Sequence, residues 1–270
     1  MPQDTAFPAG PASEPWPVRI IDADDLRASL VDGYADFKEK RGDLIFVGLL
    51  YPLIGLVAAM LFNGAQIFLL FPIFAGLSLM GPLVATGFYE IARRRELGLD
   101  ASWRHFFDVV RGPSALSIMA VGAGLLAIFC AWLASAAIVY GLFFGTAPPD
   151  SAGAFLTDVF FTGRGWAMIA VGNLIGLVFA LVVLAASVVS LPLLVDRKVS
   201  AERAVATSLS AFRHNPGILL RWGLIVAVIL VLGAIPLLIG LAVALPVLGY
   251  ATWHLYTRLV DREAIARMGR

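Results

Sequence analysis

The chain has 270 residues, 60% of them hydrophobic and only 14% charged, with a formal net charge of +1. A water-soluble domain is near half apolar and a quarter charged, so too little polar surface remains here to cover a globule in water. The composition therefore points to a polytopic membrane protein, and the near-zero net charge gives no reason to expect a nucleic acid as partner. The single cysteine, Cys130, lies in an apolar run, which excludes an internal disulfide and a cysteine-built metal cluster.

Residues 1–17 read as a disordered tail, because Pro2, Pro8, Pro11, Pro15 and Pro17 forbid regular helix and little is available to bury. They contain neither a basic n-region nor an apolar h-region, so insertion is expected to begin with the first span rather than a secretory signal. Residues 18–43 read as a cytoplasmic amphipathic helix. Asp22 is the expected N-cap, and Leu26, Leu30, Tyr34 and Phe37 recur near helical spacing on one face. Such a helix lies at the interface or folds under the bundle, with partner docking as the alternative.

The transmembrane domain is expected over 44–257, with six helices at about 44–62, 66–91, 114–145, 166–195, 218–235 and 237–255, and a basic cytoplasmic tail over 258–270. The first span would reach about 28 Å, enough to cross, and Asn63-Gly64 turns it into the second as an antiparallel hairpin. The second carries Pro72 and Pro82, which can kink it, and Gly81, which allows close helix approach. It runs out through Glu90 into Arg93, Arg94 and Arg95. In the link that follows, Asp100 is the expected N-cap, and Trp103, Phe106, Phe107 and Val110 stand at i, i+3, i+4 and i+7. That spacing predicts an amphipathic helix with an interfacial aromatic stripe, or one packed under the bundle.

In the third span Ala137, Gly141 and Gly145 form a small-residue seam, and 146–165 reads as the longest loop on the far side. The fourth carries Gly172 and Gly176 around Asn173, a GxxxG expected to pack on another helix of the same chain. The next link, 196–215, has Ser200 as N-cap and Val205, Leu209 and Phe212 as its apolar stripe. Gly233, Pro236 and Gly240 then split the last apolar run into a tight hairpin, because one helix over 218–255 would reach about 57 Å.

Of the 20 Lys and Arg residues, 18 fall in the near-side segments of this six-helix partition, Arg221 stands in the first turn of the fifth span at its near end, and only Arg164 is on the other side. The positive-inside rule then places both termini in the cytoplasm. A weak internal echo relates the links near 99–113 and 199–216, with a fainter third copy after Pro246, which suggests three hairpins with similar exits.

Catalytic motifs are absent: there is no HExxH, GxSxG, phosphate-binding Gly-rich loop or CxxC. His105, His214 and His254 sit near helix ends rather than mid-span, where a haem ligand would stand. Ser187 and Ser190 are expected to bond back to their own helix. The centres of all six spans lack Asp, Glu, Lys and Arg, unlike those of coupled transporters. The remaining functional candidates are Glu90 with Arg93 and Arg94, read first as an ion pair at a helix exit and second as a gating acid. Asn173 is read as a helix–helix hydrogen bond or a polar lining group.

The stretch GLSLMGPLVATGFYEIARRRELG (76–98) resembles a family of bacterial predicted integral membrane proteins, the domain of unknown function 2189. The segments DDLRASLVDGYADFKEKRGDLIFVGLLYPLIGL and LPLLVDRKVSAERAVATSLSAFRHNP extend the resemblance over about 20–265. It implies a multi-span inner-membrane protein without an assigned activity, some relatives of which carry the label putative cytochrome c oxidase. The expectation is an all-α membrane bundle, non-enzymatic, without cofactor or metal. It would act as a scaffold, assembly or regulatory component, its partners the lipid bilayer and another membrane protein. A passive permease for a small solute and an accessory subunit of a respiratory complex are the alternatives.

Overall fold

Apolar runs that leave water must satisfy every backbone N–H and C=O within their own segment, and helix is how a single run does so. The computed structural model describes residues 14–39, 80–147, 151–236 and 239–268. Among them lie α1 (23–39), α2 (Gly81–Glu96), a 3-10 helix (Trp103–Val110), α3 (Ala115–Phe144) and α4 (Ala152–Phe161). There follow α5 (Gly163–Ser187), α6 (Ser190–Asp196), α7 (Ala201–His214), α8 (Pro216–Ala234), α9 (Leu241–Leu259) and α10 (Arg262–Met268). The described protein is all-α. Three of its stretches are long and apolar enough to cross a membrane: Ala115–Phe144, Gly163–Asp196 and Pro216–Ala234.

The expected span over 44–62 and most of that over 66–91 lie outside the described residues. Described α2 begins at Gly81 with Pro82 in its first turn, and the residues before Met80, against which a kink would be judged, lie outside the described residues. The expected last span differs more. Helix α9 starts at Leu241 rather than 237, and its second half carries Trp253, His254, Thr257 and Arg258. Those residues make it too polar to stand with the three apolar helices, and it is instead buried along most of its length. Helices α8 and α9 form a tight pair at their junction, where the Gly233 backbone lies against Gly240 and Leu241.

The core gathers at the end of the molecule that carries the charged links. Phe88 and Ile91 of α2, Leu191 to Leu194 of α6, Trp222 of α8 and Tyr250, Trp253 and Tyr256 of α9 are its innermost side chains. Away from this end α3, α5 and α8 turn Ile138, Leu142, Leu174, Leu177, Val228 and Val231 outward, which is the surface that lipid requires.

A break between α5 and α6 lets the chain enter the core. Pro192 has no N–H to donate, and its ring crowds the preceding turn, so the helix is interrupted at Val188 and Val189. Ser208 of α7 repairs the interruption: its Oγ accepts from Val189 N at 3.1 Å and donates to Ala185 O at 2.7 Å. Ser187 and Ser190 bond back to Val183 O and Ala186 O.

Several segments read from sequence as loose or looped are built in. Residues 14–17, assigned to the tail, pack on the body: Trp16 is buried and its backbone N donates to Thr207 Oγ1 at 3.0 Å. Val18 then pairs antiparallel with Val260, with Arg19 N donating to Leu259 O and Asp261 N to Pro17 O. Asp22 caps α1 through the N–H groups of Asp24 and Asp25. The buried face of α1 runs through Leu26, Ser29, Gly33 and Phe37, leaving Tyr34 exposed, because the Gly33 backbone lies directly on Ala251 of α9. The loop expected over 146–165 contains α4, started by Ser151 Oγ accepting from Ala154 N. The basic segment after 258 folds as α10, with Ile265 buried and Ala264 N capped by Asp261.

Candidate functional site

The charged links meet beneath the core in one floor of ion pairs. Glu90, 6% exposed, stands at the exit of α2 and takes both of the next arginines. Arg93 grips it with two bonds, Nε to Oε2 at 2.9 Å and Nη2 to Oε1 at 2.8 Å, and Arg94 Nε reaches Oε1 at 3.0 Å. The i+3 and i+4 spacing on a helix puts all three on one face. The helix then stops at Gly98, whose φ of 66° lets Leu99 N close on Arg94 O in a left-handed cap that other residues resist.

Arg94 continues the network across the link, to Asp108 Oδ2 at 3.1 Å and the Asp100 carbonyl at 3.2 Å. His105 lies between Asp108 at 2.6 Å and Asp100 at 3.2 Å. Asp108 foremost, with Asp100, holds the His105 imidazole above its ordinary range, against partial desolvation and nearby Arg94. The same contact, with Ser102 N donating, holds Asp100 below the usual carboxylate range.

A second group joins α2, α6, α9 and α10. Glu96 accepts from Trp253 Nε1 at 3.0 Å and pairs with Arg262, whose guanidinium lies over the rings of Trp253 and Tyr256. Arg262 also meets Asp196, which accepts from Tyr256 OH at 2.7 Å. A third fastens α1: Asp36 pairs with Arg95 and His254, and Arg258 reaches Asp32 at 2.7 Å. Among the described residues no three His, Cys, Asp or Glu side chains converge to hold a metal ion.

The candidates read from sequence divide cleanly. Glu90, Arg93 and Arg94 come together, in the arrangement of an ion pair at a helix exit. Asn173 faces outward on α5 and donates to Ile169 O of its own helix at 2.8 Å, so it neither bridges two helices nor lines a path among the described residues. Of the GxxxG pair, Gly176 packs on the Trp132 ring of α3, whereas no described atom approaches Gly172. Gly81, Ala137 and Gly141 make no close helix contact among the described residues, so the seam read in the third span is unpartnered there.

The aromatic stripe is split. The link is a 3-10 helix with three residues per turn, which removes the common face that α spacing would give. Phe106 turns in against the Gly87 backbone and Phe88, while Trp103 and Phe107 remain 45% and 52% exposed. Sequence reasoning missed Asp108, Asp196, Glu96 and Asp36. Each pairs across more than a dozen residues, and only the abundance of Arg opposite them hints at it.

Residues 70–196, from before α2 to the end of α6, match the family model described as predicted integral membrane protein (DUF2189). No curated protein and no solved structure matches the chain. Taken with three membrane-length apolar helices over a charged floor, the match makes this chain a multi-pass integral membrane protein that carries the DUF2189 signature over residues 70–196.

Proposed function

We propose that the protein is a non-enzymatic scaffold or assembly component of the bacterial cytoplasmic membrane, a six-span bundle of three hairpins with its charged floor in the cytoplasm. Eighteen of the 20 Lys and Arg residues in the near-side segments of that partition, with Arg221 at the near end of the fifth span, support the orientation. The observation that carries the scaffold reading is the pairing of the floor with two aromatic side chains left out of it. Trp103 and Phe107 stand exposed on a segment whose neighbours Phe106, His105 and Asp108 are all anchored. A fixed base with exposed aromatic groups, Phe107 braced edge-on against Phe106, suits a surface for another protein, since Trp and aromatic residues dominate interface energetics.

The permease alternative draws less support, because Asn173 and Ser187, the polar groups of α5 that such a path would use, bond to their own helix. The test is photo-crosslinking from positions 103 and 107 in cells, with mass spectrometry of the adducts. A stoichiometric protein adduct that disappears in the Trp103→Ala/Phe107→Ala variant is expected. Adducts to lipid alone, together with solute flux in proteoliposomes, would overturn the reading. Phe106 is left intact, since its removal would open the core beside Gly87.

A further inference from the structure

A cleft of about 230 Å³ opens at the first turn of α3, between the exit of α2, the 108–114 turn and residues 194–198. Its lining includes the apolar side chains Ile118, Leu194 and Val195, the first two buried, and four cations, Arg93, Arg94, Arg197 and Lys198. The three carboxylates of the lining are already engaged. Glu90 is taken by Arg93 and Arg94, Asp108 by Arg94 and His105, and Asp196 by Tyr256 and Arg262. Lys198 makes no ion pair among the described residues, and Arg197 has only the edge of Asp196 at 3.4 Å. The charge left uncompensated in the lining is positive.

The walls are fixed in place. Ser114 Oγ donates to Arg197 O at 3.3 Å and Ser117 Oγ to Val199 O at 3.1 Å, so α3 and the 197–199 segment hold the cleft open between them. The cleft therefore lies where an apolar span meets water, the level of lipid headgroups. Beyond it α3 turns Leu116 and Met119 outward, an apolar continuation for a chain attached to the ligand.

We propose that this cleft binds a phosphate-ester anion, with Arg197 and Lys198 as its principal cations and the Arg93 guanidinium behind them. Charge-assisted bonds from such groups are the usual means of holding phosphate, and basic pockets at the ends of membrane helices hold lipid phosphates in the same way. The apolar part of the lining favours a membrane phospholipid over a free solute. The inference is independent of the scaffold reading, since a bound lipid and a bound protein would occupy different groups.

The test is the thermal-unfolding midpoint of the full-length protein in a maltoside detergent, titrated with short-chain phosphatidylglycerol, the matching diacylglycerol, or inorganic phosphate. The expected result is a saturable rise with phosphatidylglycerol and none with diacylglycerol. Half-saturation should move about tenfold higher in Arg197→Gln/Lys198→Gln, the scale of losing charge-assisted bonds. Arg164→Gln, a basic residue outside the cleft, leaves the titration unchanged. Lys198→Gln alone serves if the double variant folds poorly. Competition by inorganic phosphate at equal concentration would support the site and assign it to a free phosphate; competition only at far higher concentration would support it and assign it to lipid. An equal rise with diacylglycerol, or an undiminished phosphatidylglycerol response in both cleft variants, would overturn the proposal.

Discussion

Glu90 is one carboxylate shared by two guanidiniums, and its removal leaves Arg93 without its ion-pair partner and Arg94 with Asp108 alone, in a half-buried setting. Glu90→Gln should therefore destabilise the protein by about 2 kcal/mol, the scale of a lost charged hydrogen bond with stranded partners. A lowered unfolding midpoint in detergent checks this, and an unchanged midpoint would show that Arg93 and Arg94 simply re-pair. The Glu90 pairings were legible in the sequence because i+3 and i+4 neighbours must meet on a helix. Arg94's reach to Asp108, 14 residues on, was not, since it depends on how the intervening turn closes. Gly33 makes a sharper contrast. A Cβ there would lie 2.4 Å from Ala251 N, backbone that cannot swing aside. Gly33→Ala should cost about 1–3 kcal/mol through overpacking, while Gly172→Ala, with open space around it among the described residues, should be neutral or slightly stabilising. The GxxxG spacing marks Gly172 in the sequence, whereas no periodicity marks Gly33, whose partner backbone lies 218 residues away.

Among elements, the link from Trp103 to Val110 shows where pattern reading fails. Its apolar spacing fits α geometry, but the 3-10 winding places Phe106 in the core and leaves its neighbours out. Asp100 and Asp108 close on His105 from both ends of this segment. This element carries a pH dependence. A folded-state value raised above the unfolded one means that the contact stabilises fully below the ordinary imidazole range, and that this contribution is lost as pH rises through the raised value. A histidine-resolved NMR titration should find His105 titrating above the usual range, and Asp108→Asn should bring it down. The α5–α6 break was half legible, since Pro192 announces it, whereas Ser208 as its repair is a tertiary fact. Ser208→Ala should cost about 1–3 kcal/mol, the penalty for leaving a buried N–H unsatisfied. Unfolding of that variant at the wild-type midpoint would mean that another group takes over Val189 N.

For the whole molecule, composition fixes the class and charge asymmetry proposes the orientation, but neither reveals that the best-packed part of the described protein is its charged end. Hydropathy ranks α3, α5 and α8 above α9, yet α9 is the helix around which α1, α2, α6 and α10 are fastened, by Asp36, Glu96, Asp196 and Arg258. Amphipathic character hides that role from a search for apolar runs. In a Cys130→Ala background, Arg104→Cys and Arg164→Cys should react with impermeant thiol reagents from opposite faces of the membrane; reaction from one face would sink the orientation. The Val18–Val260 bridge has a consequence of a different kind. Two segments joined by backbone hydrogen bonds cannot lie on opposite sides of a bilayer, so the 241 residues between them must cross it an even number of times, whatever route they take. Any topology with an odd count is thereby forbidden by a single pair of valines.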